Sequence, residues 1–193
     1  MNFVDRLLGT FLWLLSVAVV AGITHITTIF GLPAFMEQNP LAEIAARTKT
    51  GEVTLLPPPQ ADRPGLPFTD PAMVQAICPF DLAEGGLRLH AEPEVDRLLA
   101  LSFRTSTGQV FYSMSDLAAQ QGKIDVVVLT PAELEAVESD DDEDNPTQDL
   151  RLIAQDSKGF VVISALAEFP SEKAQAEALV KSVSCAVEPL AEE

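Results

Sequence analysis

The chain has 193 residues, 29 acidic and 12 basic, for a formal net charge of −17. That balance opposes nucleic-acid binding, which draws its affinity from cations laid on phosphate, and it opposes docking on anionic lipid. Two histidines, two cysteines outside any CxxC pair, one Trp and one Tyr supply no zinc or thioredoxin-type motif, no histidine cluster for a metal and no aromatic stacking platform.

Residues 1–6 are a short polar start, with Asp5 and Arg6 just ahead of an apolar run. Residues 7–30, LLGTFLWLLSVAVVAGITHITTIF, contain no Asp, Glu, Lys or Arg. At about 1.5 Å per residue, about 20 residues cross a hydrocarbon core of about 30 Å, so a membrane-spanning helix is predicted. Arg6 and the α-amino group precede the run, while Arg47 and Lys49 follow only after Glu37 and Glu43. This asymmetry favours a cytoplasmic N-terminus and an exported C-terminal part. A cleaved signal peptide is the competing reading, with Ala18, Ala21 and Gly22 as its cleavage region. Against it, the apolar run is long for a signal peptide and continues past that point. Ala18, Gly22 and His25 fall on one helix face, where small residues let another helix approach closely. His25, near the outer end, reads as an interface or helix-pairing residue rather than a proton or metal site. Thr24, Thr27 and Thr28 are expected to bond their own helix backbone.

Residues 31–33 end the span. Asn39-Pro40 reads as an N-cap followed by Pro at the first helical position, opening a juxtamembrane helix over 41–48. Residues 51–56 suggest a short strand, and 57–67, PPPQADRPGLP, a polyproline-type spacer. The chain thus divides into an anchor (1–33), a juxtamembrane helix with a Pro-rich linker (34–67) and an exported domain (68–193).

Within the domain, Asp70-Pro71 reads as a helix start, with Met73, Val74, Ile77 and Cys78 as an apolar stripe and Pro79 as its stop. Residues 81–86, DLAEGG, form a turn. Strands are predicted over 87–91, 95–103, 109–113, 123–129, 149–155 and 159–167, with tight turns at 105–108 and 156–159. The run KIDVVVL at 123–129 is apolar on both sides and reads as an inner strand. Thr130 and Glu133 form a capping box opening a helix to about residue 137. Ser171 opens a longer helix to about residue 184, with Ala174, Ala178 and Leu179 on its buried side. Strands joined by hairpins, with a few helices, predict an α+β fold with a mainly antiparallel sheet. The carboxylates of 138–145 lack the central Gly and terminal Glu of an EF-hand loop and read as a solvated loop rather than a Ca²⁺ site.

Several segments together carry a family resemblance. They are His25-Ile26-Thr27-Thr28 with Pro33 beyond; Asp70-Pro71, then Ile77-Cys78-Pro79-Phe80-Asp81-Leu82 and Gly85; Leu101-Ser102-Phe103, Gly108 and Phe111-Tyr112-Ser113; and Leu129-Thr130-Pro131, leading to Gly159-Phe160-Val161-Val162 and Cys185. The chain resembles small single-pass bacterial membrane proteins with a domain of unknown function 1254 type fold. The resemblance covers nearly the whole chain; Leu99-Ala100 and the acidic insertion at 140–144 depart from it. It implies a related small membrane protein as a partner, and no activity. If the domain is exported, an oxidising compartment favours joining Cys78 to Cys185, tying the first helix of the domain to its last; two buried free thiols are the alternative.

No G-x-S-x-G elbow, P-loop, dinucleotide fingerprint or HExxH is present. His90 alternates with Leu87, Leu89 and Ala91 and so shares an exposed strand face with Arg88. Asp70, Asp81 and Asp116 read as cap or turn residues. Catalytic, cofactor-binding and metal-binding residues are therefore left unassigned. The expectation is an inner-membrane, periplasm-facing interaction or envelope-accessory protein. The alternative is a periplasmic small-ligand binder or enzyme with a pocket near Asp81, His90 and Tyr112.

Overall fold

The structure, a computed structural model, describes residues 3–35, 48–58, 70–94, 97–140 and 149–189. The chain forms two units, residues 1–38 and 39–193. The juxtamembrane helix at 41–48 except for Thr48, most of the Pro-rich segment, and positions 141–148 of the acidic run lie outside the described residues.

The first unit is one helix, α1 (Phe3–Phe35). Its stretch Phe3–Leu32 has mean hydropathy 2.1 and is long and apolar enough to cross a membrane. Hydroxyls inside it do not stand unbonded. Thr24, Thr27 and Thr28 donate to the carbonyls of Val20, Ile23 and Thr24 at 2.7–2.9 Å, as Thr10 and Ser16 do to Arg6 and Leu12. Bonding back one turn removes the need for a partner in hydrocarbon. The apolar span stops at Leu32, within the 31–33 expected to end it, while the helix itself continues to Phe35.

The second unit is α+β, with two mostly antiparallel sheets. Its elements are β1 (Thr54–Leu55), β2 (Met73–Asp81), β3 (Gly86–Ala91), β4 (Leu99–Thr105), β5 (Val110–Ser115), β6 (Ile124–Leu129), α2 (Pro131–Asp140), β7 (Leu150–Ile153), β8 (Lys158–Leu166), α3 (Lys173–Ser182) and β9 (Ser184–Glu188). One sheet has the order β1-β2-β8-β4-β5, the other β7-β6-β3-β9. Among the described strands only β6 and β7 pair in parallel, as a strand–helix–strand crossover through α2 requires. Thr130 and Glu133 make the capping box that starts α2, with bonds of 2.7 and 3.3 Å.

The facing sides of the sheets share one core. Val74, Ala76, Cys78 and Phe80 of β2 meet Leu101 and Phe103 of β4 and Val161, Ile163 and Ala165 of β8 from one side. Leu87, Leu89 and Ala91 of β3 and Ile124, Val126 and Val128 of β6 fill it from the other. Period-2 alternation places each set on one face.

Four expectations are corrected. Residues 73–80 form a strand, not a helix. The Asp70 carboxylate accepts the N–H of Ala72 (2.8 Å), a local turn that launches β2 instead of capping a helix. Pro79 does not stop this element. Gly51 donates to the Pro79 carbonyl (2.8 Å) and Leu56 to that of Gln75 (2.8 Å), so odd-numbered residues of β2 turn their backbone toward the β1 side. The missing N–H of Pro79 therefore falls outside the β2–β8 ladder. The strand predicted from residue 159 already begins at Lys158, inside the turn expected over 156–159. In α3 the buried residues are Ala176, Leu179 and Val180, whereas Ala174 and Ala178 are exposed. A short 3-10 turn, Pro170–Glu172, precedes α3 and shifts the face it presents.

Cys78 and Cys185 form a disulfide across a separation of 107 residues. It ties β2 to β9, hence sheet to sheet through the core, rather than helix to helix.

Candidate functional site

The sequence-predicted pocket residues lie apart. Asp81 ends β2, where its carboxylate accepts the Ala83 N–H (3.1 Å) and pairs with Lys158 Nζ (2.9 Å). The Lys158 bond and the Ala83 N–H hold its carboxyl below the usual carboxylate range. Asp81 is thus a turn residue with both oxygens engaged. Tyr112 lies on β5, three strand spacings away across β8 and β4, roughly 14 Å, with its ring 6.2 Å from that of Phe103. His90 is on the outer face of the other sheet, across the core.

Around His90 the strand register gathers charge. Asp125 stands opposite it on β6 and Ser184 opposite it on β9. His90 Nδ1 lies 2.5 Å from Asp125 Oδ1, and Nε2 lies 3.6 Å from Glu92 Oε1. Lys123 Nζ reaches the same Glu92 oxygen at 3.3 Å. One pair along β3, Arg88 contacts Glu188 (3.2 Å) and Asp149 (3.6 Å). Arg88, His90, Asp125, Asp149, Ser184 and Glu188 border a shallow hollow of about 230 Å³. That is below the roughly 300–1,000 Å³ of typical small-molecule sites.

Serine, histidine and aspartate do lie in one row across three strands. The imidazole, however, is committed to two carboxylates: Asp125 at Nδ1 and Glu92 toward Nε2. Nucleophilic catalysis needs that second nitrogen on the serine hydroxyl. The arrangement instead matches cation to carboxylate on a half-exposed sheet face, where each pair contributes little to stability. Among the described residues, no three of His, Cys, Asp and Glu converge as a metal-binding group.

Asp125, Glu92, Lys123, Asp149, Glu188 and Ser184 escaped sequence reasoning. Their pairing is set by the register of strands far apart in the chain. The alternation of Leu87, Leu89 and Ala91 did place Arg88 and His90 on the outer face. On α1, Ala18, Gly22 and His25 are exposed, and a Cβ built at Gly22 meets nothing within 4 Å.

No family model and no curated protein matches the chain. Among solved structures it is similar to the VPA0106 protein of Vibrio parahaemolyticus, with TM-score 0.54 and 8% identity over 78% of this chain and 36% of that one. An uncharacterised protein of Burkholderia cenocepacia matches with TM-score 0.40 and 14% identity, over 63% of this chain and 31% of the other. The chain spans about a third of the length of these structures. The first likeness speaks to the fold alone, and the second carries no argument.

Proposed function

We propose that the chain is a bacterial envelope protein that crosses the inner membrane once through α1. Its N-terminus is cytoplasmic, its domain is periplasmic, and it works by contact with another membrane protein. The observation that carries this is the pairing, in one chain, of an apolar spanning helix with a disulfide in the domain that follows it. Disulfides persist in oxidising compartments, and a single span puts the two ends of the chain on opposite sides. Lys and Arg are sparse at both helix ends, so the disulfide supports this orientation more than the flanking charges do.

Contact rather than chemistry is favoured by the mutually paired charges and shallow hollow around His90. On α1, Ala18 and Gly22 offer a close-approach face with His25 beside it. The family resemblance makes a related small membrane protein the expected partner. Extraction of the full chain in mild detergent is expected to recover that protein. Gly22→Leu is expected to lose most of the recovery, since a Cβ there meets nothing within 4 Å among the described residues. Equal recovery with Gly22→Leu rules out that helix face, and recovery of the chain alone opposes the partner reading.

A further inference from the structure

Cys78 is fully buried and Cys185 is 8% exposed, so the disulfide between β2 and β9 is closed off from solvent. One residue lies beside it on both strands. The Gly51 N–H donates to the Pro79 carbonyl (2.8 Å), and Cys78 Sγ lies 3.8 Å from that same oxygen. On the other strand, a Cβ built at Gly51 would stand 3.3 Å from the Val187 nitrogen and 3.8 Å from Ala186 Cα, in the two residues that follow Cys185. Gly51 therefore bridges the seam between β2 and β9 next to the bond. Its φ of +71° and the close backbone both call for glycine there.

Gly51 belongs to a strap, residues 49–56. Val53 and Leu55 pack on the core between the sheets, and Leu56 packs on Ile77, Phe160 and Val162 on the other face of the first sheet. Thr54 and Leu55 pair with Ile77 and Ala76 as β1, and Leu56 donates to the Gln75 carbonyl (2.8 Å). The grip is weakest next to the disulfide. Pro79 has no N–H to return, so the backbone pairing at Gly51 is one-sided. The Lys49–Glu52 ion pair, 3.9 Å apart with both side chains exposed, adds little. An edge segment held this lightly opens ahead of the domain as a whole.

We infer that the strap is a gate on the Cys78–Cys185 disulfide. Seated, it keeps dithiols out; lifted, it admits them while both sheets stay folded. The reaction behind the gate is thiol–disulfide exchange. A thiolate of the dithiol bonds to one cysteine sulfur as the Cys78–Cys185 bond breaks, and the other cysteine leaves as a thiolate and takes up a proton. The second thiol of the reductant then closes its own disulfide and releases the first cysteine. Two electrons pass from the dithiol to the protein. The bond that fastens sheet to sheet is thus switchable through the position of one short edge segment, the first described part of the domain after α1.

Dithiothreitol added to the full-length chain in detergent, with freed thiols trapped over time and counted by mass spectrometry, tests the gate. Gly51→Val puts a branched side chain at positive φ against the Val187 nitrogen, a cost borne only by the seated strap, and reduction is expected to run about tenfold faster or more. Leu56→Ser, which loosens the far end of the strap without a clash, is expected to act in the same direction. Gly122→Val is the control. Its φ of +80° carries the same backbone strain, but a Cβ there meets nothing within 4 Å among the described residues, and the turn lies outside the strap, so the rate should stay near that of the unmodified chain. In the unmodified chain, reduction should change little with urea below the unfolding transition, because lifting the strap exposes little surface. Gly122→Val speeding reduction as much as Gly51→Val, no acceleration by either strap variant, or a rate that climbs with urea as steeply as global unfolding would each overturn the gate.

Discussion

Gly159→Ala is expected to lower the stability of the domain by about 3 kcal/mol, near the top of the usual range for overpacking. Gly159 sits in β8 opposite Phe80 of β2 and Thr105 of β4. A Cβ there would lie 2.3 Å from the Arg104 carbonyl oxygen and 2.5 Å from Phe80 Cζ. Neither neighbour yields readily. The carbonyl belongs to a central strand, and the Phe80 ring is buried at 2% exposure. Interiors packed to crystal density transmit such a shift instead of absorbing it. Denaturant unfolding of the full chain in detergent, followed by circular dichroism, checks the size of the loss. Phe80→Leu is expected to relieve only part of it, because the contact with the carbonyl remains. A Gly159→Ala chain as stable as the original would mean that β2, β8 and β4 are not packed this closely.

Removing the disulfide is the second large effect. Cys78→Ala with Cys185→Ala, or reduction, is expected to cost about 2–5 kcal/mol. The bridge closes a loop of 107 residues and fastens two sheets whose facing sides form one core. Much of the loss arises in the unfolded chain, which gains freedom once the loop is open. Unfolding with and without reductant measures it, and mass spectrometry of the alkylated protein shows whether the bridge forms. Unchanged stability on reduction would contradict the sheet-to-sheet role.

Much of this architecture is legible in local pattern. Leu87, Leu89 and Ala91 alternate with Arg88 and His90, and Ile124–Leu129 is apolar on both sides, so β3 and β6 were predicted to within a residue. Thr130 and Glu133 announce α2 because a capping box is purely local. Met73–Phe80 misled because its apolar residues satisfy two periods at once. Val74, Ile77 and Cys78 suit a helix, while Val74, Ala76, Cys78 and Phe80 suit a strand. Pairing with β8 decided between them, and that partner lies far along the chain. β9 went unseen because SCAVE follows directly on a helical run. The charged network around His90 was hidden for the reason β2 was. Asp125 reaches His90 only through strand register, and register is a long-range property.

Limited proteolysis of intact spheroplasts, read with tags at both ends of the chain, reports on which side of the membrane the domain lies. The predicted result is loss of the C-terminal tag while the N-terminal tag survives on a fragment of the anchor until the membrane is opened. A C-terminal tag that stays protected until lysis would place the domain in the cytoplasm and overturn the proposed orientation.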